Sequence, residues 1–289
     1  MATNLNQPLI VIVGPTASGK SGVALELAEQ YGGEIICADS RTVYKGMDIG
    51  TAKPSKQDQA RVLHWGLDLV APGEPFSAAD FKTYAVQKIE EIRARGHVPF
   101  LVGGTGLYID SVVFDYEFGP PADLEKRAEL EQMSLEELHK YCIQHNISLP
   151  ENSQNKRYVI RAIEQKDISA KRSEKPIENC IVVGIATDNE QLRERIRKRS
   201  EQLFEDGVVD EAKKLGDTYG WENEAMTGNI YRFARAYLDG KITNDEFKLR
   251  NETADWQLAK RQLTWLKRNI FITWLPLAEV KNYIAQHLA

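Results

Sequence analysis

The chain has 289 residues, 42% of them hydrophobic and 27% charged, with a formal net charge of −5. That length suits one large α/β domain or two smaller ones, and no apolar stretch approaches the roughly 18 residues of a membrane-spanning helix. The acidic balance argues against a generic nucleic-acid coat but leaves room for a local basic groove, because charge distribution counts for more than its sum.

The opening "MATNLNQ" has neither a basic nor an apolar region, so no secretory signal is read there. "LIVIVG" follows as a buried strand. "GPTASGKS", Gly14 to Ser21, fits G-x-x-x-x-G-K-[ST] between that strand and the helix "GKSGVALELAEQYG", which Gly32 and Gly33 are expected to end. "EIICAD" is a second short strand with Asp39 at its C-terminal end. "SAADFKTYAVQKIEEIRARG" reads as a helix with Ser77 at the N-cap, Asp80 at N3 and Gly96 after its end. "VPFLVGG" is a third strand. Apolar strands alternating with helices point to a parallel sheet flanked by helices, with ligands beyond the carboxyl ends of the strands. Gly14–Ser21, Asp39 and "GGTG" (Gly103 to Gly106) share that edge and are expected to converge.

After about Val113 the sequence turns helical and charged, through "PPADLEKRAELEQMSLEELHKY" and "NKRYVIRAIEQ". "ENCIVVGIAT" then returns as a strand. The expected division is therefore a core of residues 1–112 and 179–289 and a helical insertion of 113–178. From Asp188 helices dominate, and Thr243 with Glu246 forms a capping box for a long helix running towards Lys267. No internal repeat or low-complexity tract is present. Cys37, Cys142 and Cys180 are far apart, which gives no zinc pattern and no disulfide framework and suits a reducing, cytoplasmic setting.

The phosphate loop carries the strongest chemistry. The backbone N–H groups of the loop and the N-terminus of the helix hold the anion. Lys20 neutralises charge on the terminal phosphates, and Ser21 is placed to ligate Mg²⁺. Asp39 is either a capping residue of the next turn or a carboxylate acting as base or metal ligand. The third strand ends in Gly-Gly-Thr where a Walker-B strand would end in an acid, which counts against ATP hydrolysis. Gly103 and Gly104 allow close approach of a ligand or make a turn, and Thr105 offers a hydroxyl. His64 has no second histidine at ligand spacing and is expected to be packed or hydrogen-bonded. "RERIRKR" (Arg193 to Arg199) and "KRQLTWLKR" (Lys260 to Arg268) are locally basic; a solvated helix face is the plain alternative to an anion-binding one. Trp256 and Trp265 flank these residues and could stack on bases.

At "GPTASGKS", "ADSRTVYKGMDIGTAKP" (Ala38 to Pro54), "FSAADF", "LVGGTGLYI" and "AKRQLTW" (Ala259 to Trp265) the sequence resembles the tRNA dimethylallyltransferases of bacterial type, over essentially the whole chain. The resemblance implies a P-loop NTPase-like α/β fold with an inserted helical domain that contacts tRNA. It implies dimethylallyl diphosphate with its diphosphate on Gly14, Pro15, Thr16, Ala17, Ser18, Gly19, Lys20 and Ser21. It also implies attack by N6 of the adenine 3′ of the anticodon, with Mg²⁺ as cofactor. Asp39 matches the general base, Thr105 a hydroxyl on the target nucleotide, and Arg199 an arginine on the diphosphate, so that Lys20, Asp39, Thr105 and Arg199 form the catalytic set. Contacts to the tRNA anticodon stem-loop are implied for Asp39, Ser40, Arg41, Thr42 and Thr105, for Arg157, Arg161 and Arg232, and for Lys260, Arg261, Gln262 and Lys267. The chain departs from the family at Tyr158 and Trp256, where arginine is usual, and at Ile230, where glycine is usual. All three lie in tRNA-contact segments and are expected to bear on tRNA binding, not on the chemistry. No membrane or protein partner is expected, and the chain is read as a monomer. The alternatives are an adenylate isopentenyltransferase using a free nucleotide, a small-molecule P-loop kinase, and a tRNA-binding protein without activity.

Overall fold

A computed structural model describes residues 7–119, 123–165 and 171–288. The opening residues and the prolines at 120 and 121 therefore lie outside the description. The chain forms two compact units, Met1–Asp115 with Glu174–Ala289, and Tyr116–Ser173.

The first unit begins with β1 (Leu9–Val13), α1 (Lys20–Gln30), β2 (Gly33–Ala38), α2 (Lys56–Arg61), β3 (His64–Trp65), α3 (Ala78–Ala94), β4 (Val98–Gly103) and α4 (Gly106–Val113). β1 and β4 are buried at every residue, which is why they read as continuous apolar runs and not as alternating ones. Gly32 follows α1 in the left-handed region at φ 61°, but Gly33, expected to end the helix, is the first residue of β2. Its missing side chain leaves room for the Phe100 ring, 2.4 Å from where a Cβ would stand. The capping box of α3 forms as expected: Ser77 accepts the N–H of Asp80, whose carboxylate accepts the N–H of Ser77.

The second unit holds α5 (Leu124–Gln132), α6 (Leu135–Gln144) and α7 (Lys156–Glu164). It has its own core of Leu130, Leu138, Cys142, Ile147, Val159, Ile160 and Ile163. Arg127 donates two parallel hydrogen bonds to the buried carboxylate of Glu164 at 2.8 and 2.7 Å. The division falls inside the expected 113–178. α4 belongs to the first unit, and its Val113 carbonyl accepts the N–H of Ile177 at 2.8 Å, which ties both flanks of the insertion to that unit.

The chain returns through β5 (Cys180–Ala186), α8 (Asn189–Glu205), α9 (Val208–Tyr219), a short 3-10 turn (Glu224–Thr227), α10 (Asn229–Leu238), α11 (Asn244–Leu266), β6 (Thr273–Pro276) and α12 (Leu277–Leu288). The strands run parallel in the order β3-β2-β4-β1-β5-β6. The strands' side chains pack with Val23, Ala24 and Leu27 of α1 and with Val280 and Ile284 of α12. Phe81 of α3 and Tyr108 of α4 stack at 4.1 Å. Thr243 and Glu246 cap α11 reciprocally, and Lys267 is its C-cap. β3 and β6 were not expected: at two and four residues they carry too little pattern to be read locally. No described helix is long and apolar enough to cross a membrane.

Candidate active site

β1, β2 and β4 end side by side, with Val13 opposite Gly103 and Ala38 opposite Gly103 in the two ladders. The expected convergence follows. Lys20, Ser21, Asp39, Ser40, Arg41, Thr42, Thr105 and Arg199 line one cavity of about 390 Å³, with Thr16, Arg261 and Gln262.

The phosphate loop is held from outside by three side chains. Gln262 Oε1 on α11 accepts the N–H of Thr16 at 2.8 Å. On α8, Arg195 donates to the carbonyl of Ser18 at 3.0 Å, and Arg199 donates to the hydroxyl of Thr16. Arg195 and Arg199 are four residues apart and share a helix face. Arg197 points elsewhere, pairing with Glu194 and Glu201 on a solvated face. The basic run thus divides: its solvated-face reading holds for Arg197 and Lys198, while Arg195 and Arg199 serve the loop.

Lys20 Nζ donates to the carbonyl of Pro15 at 3.1 Å. Burial lowers its pKa to about 8; the Asp39 carboxylate opposes this shift and Arg199 adds to it. Ser18 Oγ and Arg199 Nε are buried without a hydrogen-bond partner. A cavity lined by Lys20 and Arg199 is suited to an anion with several oxygens.

Asp39 follows β2. Its Oδ1 accepts the N–H of Arg41 at 2.8 Å, which orients the carboxylate. The Arg41 guanidinium turns away, donating to the carbonyls of Glu224 and Ala225 at 3.1 and 3.4 Å. Thr42 donates its hydroxyl to the Asp39 carbonyl at 3.3 Å. Thr105 Oγ1 accepts the N–H of Ser40 at 3.1 Å, fixing the β4 loop against the β2 loop.

Gly103 and Gly104 do admit a close approach, but by protein. A Cβ on Gly103 would stand 2.0 Å from the Ala38 carbonyl oxygen. One on Gly104 would stand 2.5 Å from Gln262 Nε2 and 3.0 Å from the Gly14 carbonyl oxygen. These glycines let the strand ends and α11 close on the phosphate loop.

The segment "MDIGTAKP" forms one wall of the cavity through Gly50, Thr51, Ala52 and Pro54. Glu211 on α9 accepts three successive main-chain N–H groups, those of Asp48, Ile49 and Gly50, at 2.8, 2.6 and 2.8 Å. It also accepts the Tyr231 hydroxyl at 2.8 Å, and Lys53, 2% exposed, pairs with Asp48 and Asp68. No local pattern announces Glu211; its main-chain partners are 161 to 163 residues away in sequence. Glu211→Gln keeps the shape and loses the charge. It is expected to speed amide exchange at Asp48–Gly50 by about tenfold or more, since charge-assisted bonds contribute about 1.5–3 kcal/mol each. Exchange mass spectrometry checks this; an unchanged rate would mean that other contacts hold the wall.

The residues implied for tRNA divide likewise. Lys260, Arg261, Lys267, Arg157 and Arg232 are exposed. Gln262 is half-buried and committed to Thr16. Arg161 donates to Glu164 at 3.2 Å, inside the ion cluster of the insertion. Among the family departures, Tyr158 is exposed, and Ile230 is buried at the cavity wall. Trp256 carries the Arg193 guanidinium over its ring at 4.1 Å, so a positive charge is presented there from α8. Trp265 is not available for stacking in the same way: its Nε1 donates to Asp110 at 2.7 Å and its ring covers Gly106. His64 Nδ1–H donates to the Val62 carbonyl at 2.8 Å, so this histidine is hydrogen-bonded as expected.

For Mg²⁺, a serine hydroxyl and a carboxylate in an anion pocket are hard oxygen donors of the right kind. Among the described residues no cluster of three or more His, Cys, Asp or Glu is placed to hold a metal. An ion here would take most of its remaining ligands from phosphate oxygens and water.

Residues 42–269 match the model of the family described as IPP transferase. A tRNA dimethylallyltransferase of Acetivibrio thermocellus is 40% identical over 92% of this chain and 91% of its own length. One of Bacillus subtilis is 35% identical over 95% of this chain and 92% of its own. Among solved structures, the full-length tRNA isopentenylpyrophosphate transferase of Bacillus halodurans superposes with a TM-score of 0.75 at 36% identity, covering 98% of this chain and 97% of that one. A eukaryotic dimethylallyltransferase acting on tRNA, 23% identical, shares the fold with a TM-score of 0.77, over 97% of this chain and 77% of that one.

Proposed function

We propose the following reaction for this chain, which belongs to the IPP transferase family and transfers a dimethylallyl group to tRNA. The donor is dimethylallyl diphosphate, its diphosphate on the phosphate loop. The acceptor is N6 of the adenine 3′ of the anticodon. The N6 lone pair attacks the allylic carbon, the carbon–oxygen bond breaks, and its electron pair leaves with diphosphate. Asp39 takes the proton from N6.

The observation that carries this reading is the meeting of Lys20, Arg199 and Asp39 in one cavity. Two cations and the loop's N–H groups stabilise charge that grows on the leaving oxygen. Arg41's N–H holds the Asp39 carboxylate in one orientation, which favours a defined line of attack. Thr105, whose hydroxyl accepts the N–H of Ser40, would touch the target nucleotide beside Asp39. Ser21 would hold Mg²⁺ together with the diphosphate, and the ion would supply further charge neutralisation. An adenine inside a helical stack could not enter such a cavity, so the base is expected to be extruded. A tRNA substrate supports a cytoplasmic setting.

The reading is tested by supplying labelled dimethylallyl diphosphate with unmodified tRNA in one vessel and AMP in another. Label on a tRNA adenosine, and none on AMP, is expected. Label on AMP alone would replace tRNA by a free nucleotide.

The exposed cations of α11 are proposed to carry phosphate contacts. Lys260→Glu with Arg261→Glu is expected to weaken tRNA binding and to lower the salt dependence, log K against log salt, by about two units. Titrations at several salt concentrations measure it. An unaltered slope would make this face merely solvated. Arg161 pairs with Glu164, which Arg127 also holds, so its reversal would bear on the insertion's ion cluster as well as on tRNA.

A further inference from the structure

Asn251, Asp255, Leu258 and Gln262 recur on α11 at intervals of four, three and four residues, so they share one helix face, and all four line the active-site cavity. Gln262 grips the phosphate loop, and Asn251 donates to Ser200 of α8 at 3.2 Å. Asp255 has no such engagement: it is half-buried, and no hydrogen bond or ion pair holds it among the described residues. A second carboxylate in an anion pocket is unexpected. Asp39 already supplies the base, and another negative charge opposes the diphosphate.

Arg199 is the nearest explanation. It lines the same cavity; burial pushes the pKa of the Asp255 carboxyl up, and the charge of Arg199 opposes part of that rise. Arg199 holds Thr16 with one guanidinium nitrogen while its Nε is buried without a partner. The guanidinium thus has donor capacity left over, and two anions can call on it: the diphosphate and Asp255. Like charges repel one another more strongly in a partly dry cavity than in bulk water.

We propose that Asp255 is a positioning residue that competes with bound diphosphate for Arg199, and so promotes release of the product diphosphate. This rests on the reading that diphosphate occupies the phosphate loop. Binding of dimethylallyl diphosphate is opposed to the same extent, and the apolar tail makes up part of the difference for the substrate but not for the product.

The test is titration of the whole protein with inorganic diphosphate and Mg²⁺ at pH 8, for the wild type, Asp255→Asn and Asp255→Ser. Both variants remove the charge and keep a polar group, and a thermal melt certifies each fold. Diphosphate is expected to bind about five- to tenfold more tightly to both variants. Multiple-turnover rates should fall while single-turnover transfer stays near the wild type, a split that a purely structural role would not produce. In an Arg199→Gln background, Asp255→Asn should change diphosphate affinity much less. Unchanged or weaker diphosphate binding in folded variants would overturn the proposal while leaving the site assignment standing. A wild type that binds no diphosphate would overturn both.

Discussion

Lys20→Ala is expected to lower prenyl transfer by about 10²-fold or more, with weaker diphosphate binding as part of the loss. Lys20 opens α1 directly after the phosphate loop, and it shares the cavity with Arg199 and Asp39. Charge accumulates on the diphosphate as the carbon–oxygen bond breaks. A cation fixed in a water-poor cavity interacts more strongly with that charge than with the ground state. The loss of one such group is worth about 3 kcal/mol in the transition state. The lowered pKa gives the test a second axis. Burial brings the ammonium to about 8, and the anion requires its protonated form. Diphosphate affinity should therefore be full well below pH 8 and decline as the pH rises through that value, with a proton taken up on binding in the alkaline range. Lys20→Ala should lack this decline. Wild-type affinity and rate in the variant would remove the phosphate loop from the mechanism.

Asp39→Asn is expected to leave binding of both substrates near normal and to lower kcat by roughly 10²-fold or more, the usual scale of general-base loss. The adenine amine is a weak nucleophile because its lone pair is delocalised into the ring. It becomes positive as the new N–C bond forms, and a carboxylate within reach can orient the N–H and accept the proton. Asparagine keeps the size and one acceptor oxygen, so the hydrogen bond from the Arg41 N–H can persist. A purely structural role would require Asp39 to pair with the Arg41 guanidinium, but that group donates to the carbonyls of Glu224 and Ala225. Little change in Tm should therefore accompany the loss of rate. Melting temperature and single-turnover rate measured on one preparation separate the two roles: a stable variant at full rate would exclude the catalytic one.

The parts of this molecule governed by local rules were legible in the sequence. β1, the phosphate loop and α1 follow one another with no intervening choice, and the caps of α3 and α11 form from residues three apart. The convergence of Asp39 and Thr105 on the loop followed from the rule that parallel strands deliver their carboxyl ends to one edge. What escaped is what depends on distant pairing. β3 exists because His64 and Trp65 lie beside Ile35 and Ile36, and β6 because Thr273–Pro276 lies beside β5. Glu211 and Asp255 stand in helices whose charge pattern is ordinary; only the fold shows that one holds a cavity wall and the other lines the cavity together with Arg199. Gly103 and Gly104 carried a true signal of close approach, but sequence alone does not say that Ala38, Gly14 and Gln262 are the groups that approach. The basic run of α8 was ambiguous for the same reason, since Arg195 and Arg199 differ from Arg197 only in what lies opposite them.

The central claim is that the phosphate loop holds a leaving group and not a nucleoside triphosphate. Its most direct test is a reaction containing this protein, Mg²⁺, unmodified tRNA and dimethylallyl diphosphate, with no ATP, in which released diphosphate and prenylated adenosine are both counted. The account predicts transfer without ATP and one diphosphate for each N6-dimethylallyl adenosine formed. Transfer that waits for ATP, or consumption of ATP in step with product, would contradict it.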